Sequence, residues 1–294
     1  YASYCAFVAK ALKERGVDVC SYEIWNEPNL TKFGGANTSP DKYLKVAKEA
    51  AIALREADPD AKIGALAVTN VFTNQVFDDW YKKYLDTDVD KYFNAITLHP
   101  YYFDSLPEDV LAARIKEYKN LYEEKYAGSP DAKPFAVYHT EHGYRVNEGV
   151  TPTEKVQADN VTRAYILLKA AHVNDLYTMY EFSNVGGIEN NVSHTMGAVR
   201  SCKPGDTEVP YAAKSLFLAV ANMNKQLQNA ECTQTLLETG SDYAYVFKRP
   251  KDNKNIIALW TTKETKPITL SLDTDEAVLY DAYGNAQVIK GNNG

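Results

Sequence analysis

The stretch SYEIWNEPNL, residues 21–30, sets an apolar, aromatic run directly against a polar turn. Its aromatic and β-branched residues favour a strand, and the run stops at Asn26-Glu27-Pro28. A carboxylate in a turn that follows a buried strand has little structural reason to be there, whereas functional residues concentrate at such positions. Glu27 is therefore a candidate for chemistry, and it calls for a partner elsewhere in the chain.

Four further runs of the same kind follow, each bounded by Gly, Pro, Asp or Asn. They are AKIGALAV, FNAITLHPYY, FAVYHTEHGY and LYTMYEFSNV. The segments between them carry apolar residues at three- and four-residue spacing, which predicts helices over residues 39–59, 74–86, 107–128 and 151–174, with further helices at 1–16 and 210–227. Ser39 and Thr151 are the expected N-caps, each followed by proline.

The regular alternation of strand and helix predicts a parallel sheet built from right-handed βαβ units. An open doubly wound sheet would carry a Gly-rich phosphate loop after a strand, and none of the five runs has one. Polar residues gather instead at the ends of several strands, as in a (β/α)8 TIM barrel. After about residue 230 the pattern changes to alternation with turn signals, typical of antiparallel strands. We predict a barrel domain over residues 1–228 and a small antiparallel β-sandwich over 229–294.

Composition narrows the function. Net charge is −7 and no basic cluster occurs, which argues against nucleic acid and anionic membrane surfaces as partners and favours a neutral substrate. No apolar run is long enough to span a membrane. The four cysteines form no Cys-x-x-Cys pair, and the two histidines of HTEH point to opposite faces of a strand, so neither a metal nor another cofactor is expected.

Polar side chains end four of the predicted strands. They are Asn26 and Glu27; His99, Tyr101 and Tyr102; His139, Glu141, His142 and Tyr144; and Glu181 and Asn184. Two glutamates at one apolar-walled, tyrosine-rich mouth suit glycoside hydrolysis, which needs a protonated acid for the leaving oxygen and an ionised nucleophile for the anomeric carbon. Glu141 is thus the predicted partner of Glu27.

These motifs carry a family resemblance. EIWNEPNL, ITLHPYY, TEHGY and YEFSN, in this order, resemble the retaining glycoside hydrolases of clan A, and most closely family 39, the β-xylosidase-like enzymes. The resemblance implies that Glu27 is the general acid/base and Glu141 the nucleophile. It also implies that Asn26 bonds the sugar 2-hydroxyl and that His99 and Tyr101 face the nucleophile and the sugar. The expected substrate is an oligosaccharide or polysaccharide.

Three further residues are candidates for substrate binding. Trp25 suits strand packing or a sugar platform, Glu181 suits the mouth or a solvated rim, and Tyr144 follows the nucleophile strand. The proposed mechanism also sets a distance. A retaining pair stands about 5 to 5.5 Å apart, whereas an inverting pair needs roughly 6.5 to 9.5 Å.

The position of Glu27 raises one further expectation. In the clan the acid/base follows the fourth barrel strand, and a complete barrel takes about 250 residues. We therefore expect the first three strands and two helices of the barrel to be missing from this chain, with the N-terminal half-barrel as a candidate partner chain or segment. An extracellular or cell-surface location is expected.

Two other functions fit the same residues. A family 5-like endo-glucanase or mannanase would use the same two glutamates on another substrate. An inactive, carbohydrate-binding half-barrel would bind sugar without turnover, and retained activity would exclude it.

Overall fold

A computed structural model describes residues 1–103, 105–129, 134–146, 152–185, 195–201, 209–272 and 274–291. The chain divides into two compact units. The first comprises Tyr1–His142 with Val173–Met179, and the second comprises Gly143–His172 with Tyr180–Gly294. The predicted domain boundary after residue 228 stays a prediction.

The first unit is organised around five parallel strands, in agreement with the sequence prediction. They are β1 (Tyr22–Glu23), β2 (Ile63–Thr69), β3 (Ala95–His99), β4 (Val137–His142) and β5 (Leu176–Met179). Neighbours in the sheet follow chain order, and every pair is parallel. The sheet curls like part of a (β/α)8 barrel. Every side chain of β2 and β3 is buried, as expected for strands covered on both faces.

The helices of this unit are α1 (Ala2–Glu14), α2 (Thr31–Gly34), α3 (Pro40–Ala57), α4 (Lys82–Leu85), α5 (Val89–Tyr92) and α6 (Pro107–Lys125). In sequence, α1 precedes β1 and the other helices of this unit lie between successive strands. As predicted, Ser39 caps α3 by accepting from the Lys42 amide, and Pro40 opens the helix. The helix predicted over residues 74–86 is present over 74–85, with a π-helical middle segment, Val76–Tyr81, that continues into α4.

A bulge in β2 departs from regular strand geometry. The pairing with β3 shifts between Leu66 and Val68, and Leu66 and Ala67 have φ values of 91° and 49°. The bulge leaves two backbone amides without ladder partners, and side chains satisfy both of them. The Tyr43 hydroxyl accepts from the Leu66 amide at 2.8 Å, and the Thr97 hydroxyl accepts from the Ala67 amide at 2.9 Å. These side-chain hydrogen bonds stabilise the bulge, which redirects the Ala67 carbonyl.

The second unit contains α7 (Glu154–Ala170), α8 (Ser215–Leu227) and two antiparallel sheets. One sheet has the order β6 (Glu231–Glu238), β7 (Asp242–Arg249), β8 (Lys254–Thr261), and the other pairs β9 (Glu276–Tyr280) with β10 (Ala286–Lys290). The predicted antiparallel strands are thus confirmed, while their packing as a sandwich stays a prediction. Thr153, whose hydroxyl accepts from the Val156 amide, caps α7. The predicted cap, Thr151, lies outside the described residues.

Among the helices of the described residues, none has the length and apolar character needed to cross a membrane.

Candidate active site

The turn after β1 holds Glu27 in a defined orientation. Trp25 and Glu27 have φ values of 71° and 42°, a region that non-glycine residues rarely occupy and that costs of order 1–3 kcal/mol each. Two sets of contacts hold it. The Glu27 amide donates to the bulge carbonyl of Ala67 at 2.8 Å, and the Asn29 amide group exchanges two hydrogen bonds with the backbone of Thr69, at 3.0 and 3.2 Å.

The other side of the turn packs against α2. The Thr38 hydroxyl donates to the Pro28 carbonyl at 2.9 Å. A methyl group on Gly34 would overlap both of these partners, so glycine is needed there for close approach. Contacts on both sides thus fix the backbone that carries the acidic side chain.

Glu27 is bonded to His99, the last residue of β3. The distance from Glu27 Oε1 to His99 Nδ1 is 3.0 Å, and the histidine is fully buried. Only 12% of the Glu27 side chain is exposed. Since the carboxyl ends of parallel strands meet at one edge of the sheet, the end of β3 lies beside the turn that follows β1, as the sequence predicts.

Glu141, on β4, completes the group. Its Oε2 accepts from the Tyr101 hydroxyl at 2.9 Å and lies 3.7 Å from His99 Nδ1. Side-chain nitrogen and oxygen atoms of Glu27, His99 and Glu141 lie within 4.8 Å of one another. The structure therefore brings together four of the residues that the sequence nominates, and the two glutamates stand close to each other.

A third carboxyl group lies beside the pair. Glu23, the last residue of β1, accepts from the Thr140 hydroxyl at 2.5 Å, and its Oε1 lies 3.8 Å from His99 Nε2. Burial raises the pKa of Glu23, although the hydrogen bond from Thr140 and the charge of His99 oppose the rise. Sequence reasoning missed Glu23. The signal that could have found it is a charged residue inside an otherwise apolar strand.

His99 is surrounded by these three acids, and their effect exceeds that of burial. Burial by itself lowers its pKa, but the hydrogen bond to Glu27 and the charges of Glu141 and Glu23 raise it above the ordinary value of 6.5. An imidazole in such surroundings can carry a proton and bridge the acidic side chains.

The spacing of Glu27, His99 and Glu141 is also compatible with one shared metal ion. The contacts described above already use the facing atoms, because Glu27 bonds His99 and Glu141 accepts from Tyr101. The arrangement thus accounts for these polar groups as a hydrogen-bonded acid–base cluster.

The two histidines of β4 are buried and neutral. His139 Nε2 bonds the Val173 carbonyl at 2.8 Å, and His142 Nδ1 bonds the Tyr177 hydroxyl at 2.8 Å. Burial lowers the pKa of His139 to about 4, and burial together with the neighbouring His139 lowers the pKa of His142 to about 3. Both rings are fully buried. The β4–β5 pairing shifts between His139 and His142, and their orientation to opposite faces stays a prediction.

The remaining nominated residues are less closely defined. Trp25 is 42% exposed, and its indole donates to the Phe33 carbonyl at 3.2 Å. Asn26 is half-buried beside Glu27. Tyr144 is buried and Glu181 is partly buried, and both belong to the second compact unit. Contacts of these four residues with substrate stay predictions.

A family model described as glycosyl hydrolases family 39 matches residues 8–197, about two thirds of the chain. The chain belongs to this family. The matched segment includes every residue of the acid–base cluster. A search of curated proteins gave no match.

Solved structures agree with this family 39 assignment at the level of fold. A family 39 glycoside hydrolase from the gut symbiont Bacteroides cellulosilyticus WH2 superposes with a TM-score of 0.80 at 23% identity, covering 100% of this chain and 58% of that one. A family 39 β-xylosidase from Caulobacter crescentus gives 0.52 at 16% identity, covering 83% and 50%. AbfB, a family 51 α-L-arabinofuranosidase from Bifidobacterium longum, gives 0.64 at 14% identity, covering 92% and 61%. This family 39 chain thus spans roughly half to three fifths of these relatives.

Proposed function

We propose that this family 39 chain carries the catalytic pair of a retaining β-glycosidase, with Glu27 as general acid/base and Glu141 as nucleophile. The observation that carries the proposal is the spacing of the pair. Carboxylate oxygens of the two residues lie within 4.8 Å, which suits direct attack on the anomeric carbon better than the wider gap that an inverting enzyme needs for a water.

The contacts suit the two roles. Tyr101 donates to Oε2 of Glu141, and among the described residues no hydrogen bond reaches the other oxygen, which is therefore available to attack. In the first step Glu141 forms a bond to the anomeric carbon while the glycosidic bond breaks and the leaving oxygen takes the proton of Glu27. In the second step water attacks, Glu27 accepts its proton, and Glu141 leaves with its electron pair.

Asn26 and Trp25 adjoin the acid/base in sequence, so the proposal assigns them to the sugar. Asn26 would bond the 2-hydroxyl, where hydrogen bonds strengthen in the transition state. Trp25 offers an exposed aromatic face at the turn. Tyr144 and Glu181 remain further candidates for substrate contact.

A neutral oligosaccharide or polysaccharide is the substrate class that the family and the net charge of −7 support. The similar structures include a β-xylosidase and an α-L-arabinofuranosidase, so a panel of substrates is needed to identify the sugar. An extracellular or cell-surface site of action is part of the proposal, and cell fractionation tests it.

The number of strands in the sheet also bears on the substrate site. The described sheet has five strands, whereas a (β/α)8 barrel has eight. We propose that three further strands, from another segment or chain, close the barrel over the substrate site. Activity that appears only when such strands are supplied would support this.

The test is hydrolysis of a panel of aryl β-glycosides and polysaccharides by the chain and by Glu27→Ala and Glu141→Ala. Glu49→Ala, at an exposed position of α3, is the matched control. Both active-site variants should lose about 10²-fold or more in turnover, as expected for acid–base and nucleophile losses, while the control keeps its rate.

Product analysis separates the two roles. Azide should restore Glu27→Ala with a β-glycosyl azide and Glu141→Ala with the α-product, and the first sugar released by the unaltered chain should keep its β configuration. Inverted product would refute the mechanism. Sugar binding without turnover would favour the inactive half-barrel, and activity on internal glucan or mannan bonds alone would favour an endo-acting enzyme.

A further inference from the structure

Glu23 is a partly buried carboxyl group that the two-glutamate mechanism does not use. Its side chain is 25% exposed. The Thr140 hydroxyl, on β4, donates to its Oε1 at 2.5 Å. This hydrogen bond from another strand restricts the rotation of the carboxyl group. Its position relative to His99 is therefore defined.

The two ring nitrogens of His99 face different acids. Nδ1 lies 3.0 Å from Glu27 Oε1, within hydrogen-bond distance. Nε2 lies 3.8 Å from Glu23 Oε1, and it is a buried atom without a hydrogen-bond partner among the described residues. A buried polar nitrogen is costly when it faces no compensating group. The carboxyl group of Glu23 is a polar group that faces this nitrogen at 3.8 Å.

This placement bears on the proton of the ring. A neutral imidazole carries one proton, and both ring nitrogens of His99 face a carboxyl group, so the protonation of Glu27 decides which nitrogen holds the proton. With the proton on Nε2, Nδ1 presents a lone pair to Glu27. The acid form of Glu27 can then donate to Nδ1. When His99 is protonated on both nitrogens, the same hydrogen bond carries the proton from Nδ1 towards ionised Glu27.

We propose that Glu23 is a positioning residue that keeps a proton on Nε2 of His99, so that only the proton between Nδ1 and Glu27 moves during the reaction. The inference rests on the proposed function in that Glu27 is taken as the acid/base. Without Glu23, the hydrogen bond between Glu27 and His99 would be lost whenever the ring changed tautomer. A protonated Nδ1 cannot accept a hydrogen bond from the acid form of Glu27.

The charges around the cluster are consistent with this role. The titratable groups that face His99 are Glu27 from the turn, Glu23 from β1 and Glu141 from β4, with Tyr101 beside Glu141. Tyr43 of α3 lies close enough to Glu23 for its own pKa to be raised further by that charge. The pKa of His99 is raised by all three acids, and removal of one acid lowers it again.

The kinetic test is Glu23→Gln, which preserves size and the acceptor for Thr140 but removes the charge. We expect kcat to fall about tenfold or more, since acid–base assistance contributes roughly 10²–10⁴-fold, while KM stays within about twofold. The basic limb of the kcat profile should move to lower pH because His99 loses a neighbouring negative charge. Glu23→Asp, which keeps the charge on a shorter arm, should recover part of the shift. A lower melting temperature with an unchanged pH profile would mean a merely structural role and would overturn the proposal.

A second readout does not depend on activity. In ¹⁵N-histidine-labelled protein, above the pH at which His99 titrates, the His99 Nε2 signal should show a protonated nitrogen and the Nδ1 signal an acceptor. Loss of these signals in His99→Asn assigns them. Glu23→Gln should mix or reverse the tautomers. A proton on Nδ1 in the unaltered chain, or an unchanged spectrum in the variant, would refute the inference. If the chain hydrolyses no glycoside, the proposed function fails, and this spectrum still decides the role of Glu23.

Discussion

Lowering the pH from 7 to 5 should destabilise the fold through two buried histidines of β4. His139 and His142 are fully buried, and their pKa values are lowered from 6.5 to about 4 and about 3. In the unfolded chain both return to the ordinary value and take up protons below pH 6.5, while the folded state stays neutral. The free energy of unfolding therefore decreases as the pH is lowered through this window, because the unfolded state binds more protons than the folded state.

The magnitude follows from the lowered pKa values. At pH 5 each histidine is about 1.5 pH units below its unfolded pKa and still above its folded pKa, which corresponds to about 2 kcal/mol per residue. The two together remove up to about 4 kcal/mol, a large part of a typical folding free energy of roughly 5–15 kcal/mol. His99 and Glu23 act in the opposite direction, because their pKa values are raised in the folded state. As the pH is lowered, the folded state binds these protons before the unfolded state does, which stabilises the fold.

Urea unfolding at pH 7 and pH 5 measures this, and the comparison is between differences rather than absolute stabilities. In His139→Gln, the difference in unfolding free energy between pH 7 and pH 5 should be smaller by about 2 kcal/mol, whatever the substitution costs at pH 7. His172→Asn is the matched control, because His172 is exposed and asparagine tolerates its φ of 54°. The reasoning is refuted if His139→Gln keeps the full pH dependence, or if His172→Asn loses as much.

Three further substitutions test the site's supports. Asn29→Ala should destabilise the fold by about 1–3 kcal/mol in urea, since it removes both hydrogen bonds to Thr69, and should reduce turnover more than binding; equal stability would contradict this. Tyr101→Phe should lower kcat by about tenfold with little change in unfolding, because Glu141 loses a charge-assisted hydrogen bond; an unaltered kcat would remove Tyr101 from the mechanism. Gly64→Ala should cost about 1–3 kcal/mol, because the new methyl group would overlap the adjacent β3 threonine, and a melting temperature equal to that of the unaltered chain would show that the strands can separate.

The five parallel strands were predictable because each follows a local pattern. Apolar runs with β-branched and aromatic residues, separated by periodic helical segments, are read from neighbouring residues alone. The same holds for Ser39, whose capping role needs only the residues that follow it. Boundaries were less predictable. β1 is two residues long, and residues 76–81 form a π-helical segment, because tertiary packing overrides propensity at such places.

The catalytic candidates were predictable from position at strand ends. Glu27, His99, Tyr101 and Glu141 meet in the structure because parallel strands place their carboxyl ends at one edge. The contribution of Glu23 was not predictable in this way. Its role depends on its distance to His99 Nε2, and β2 lies between the two residues in sequence, so no local pattern reports that distance.

The sequence by itself determined the strand–helix order, the candidates for the acidic pair and the family. These depend on residue type and spacing along the chain, which the sequence records directly. Only the tertiary structure decided which nitrogen of His99 faces which carboxyl group, how the β2 bulge turns the Ala67 carbonyl towards Glu27, and that His139 and His142 are both buried. Those features depend on register between strands and on the low-dielectric surroundings of the fold, and both arise only when distant segments pack together.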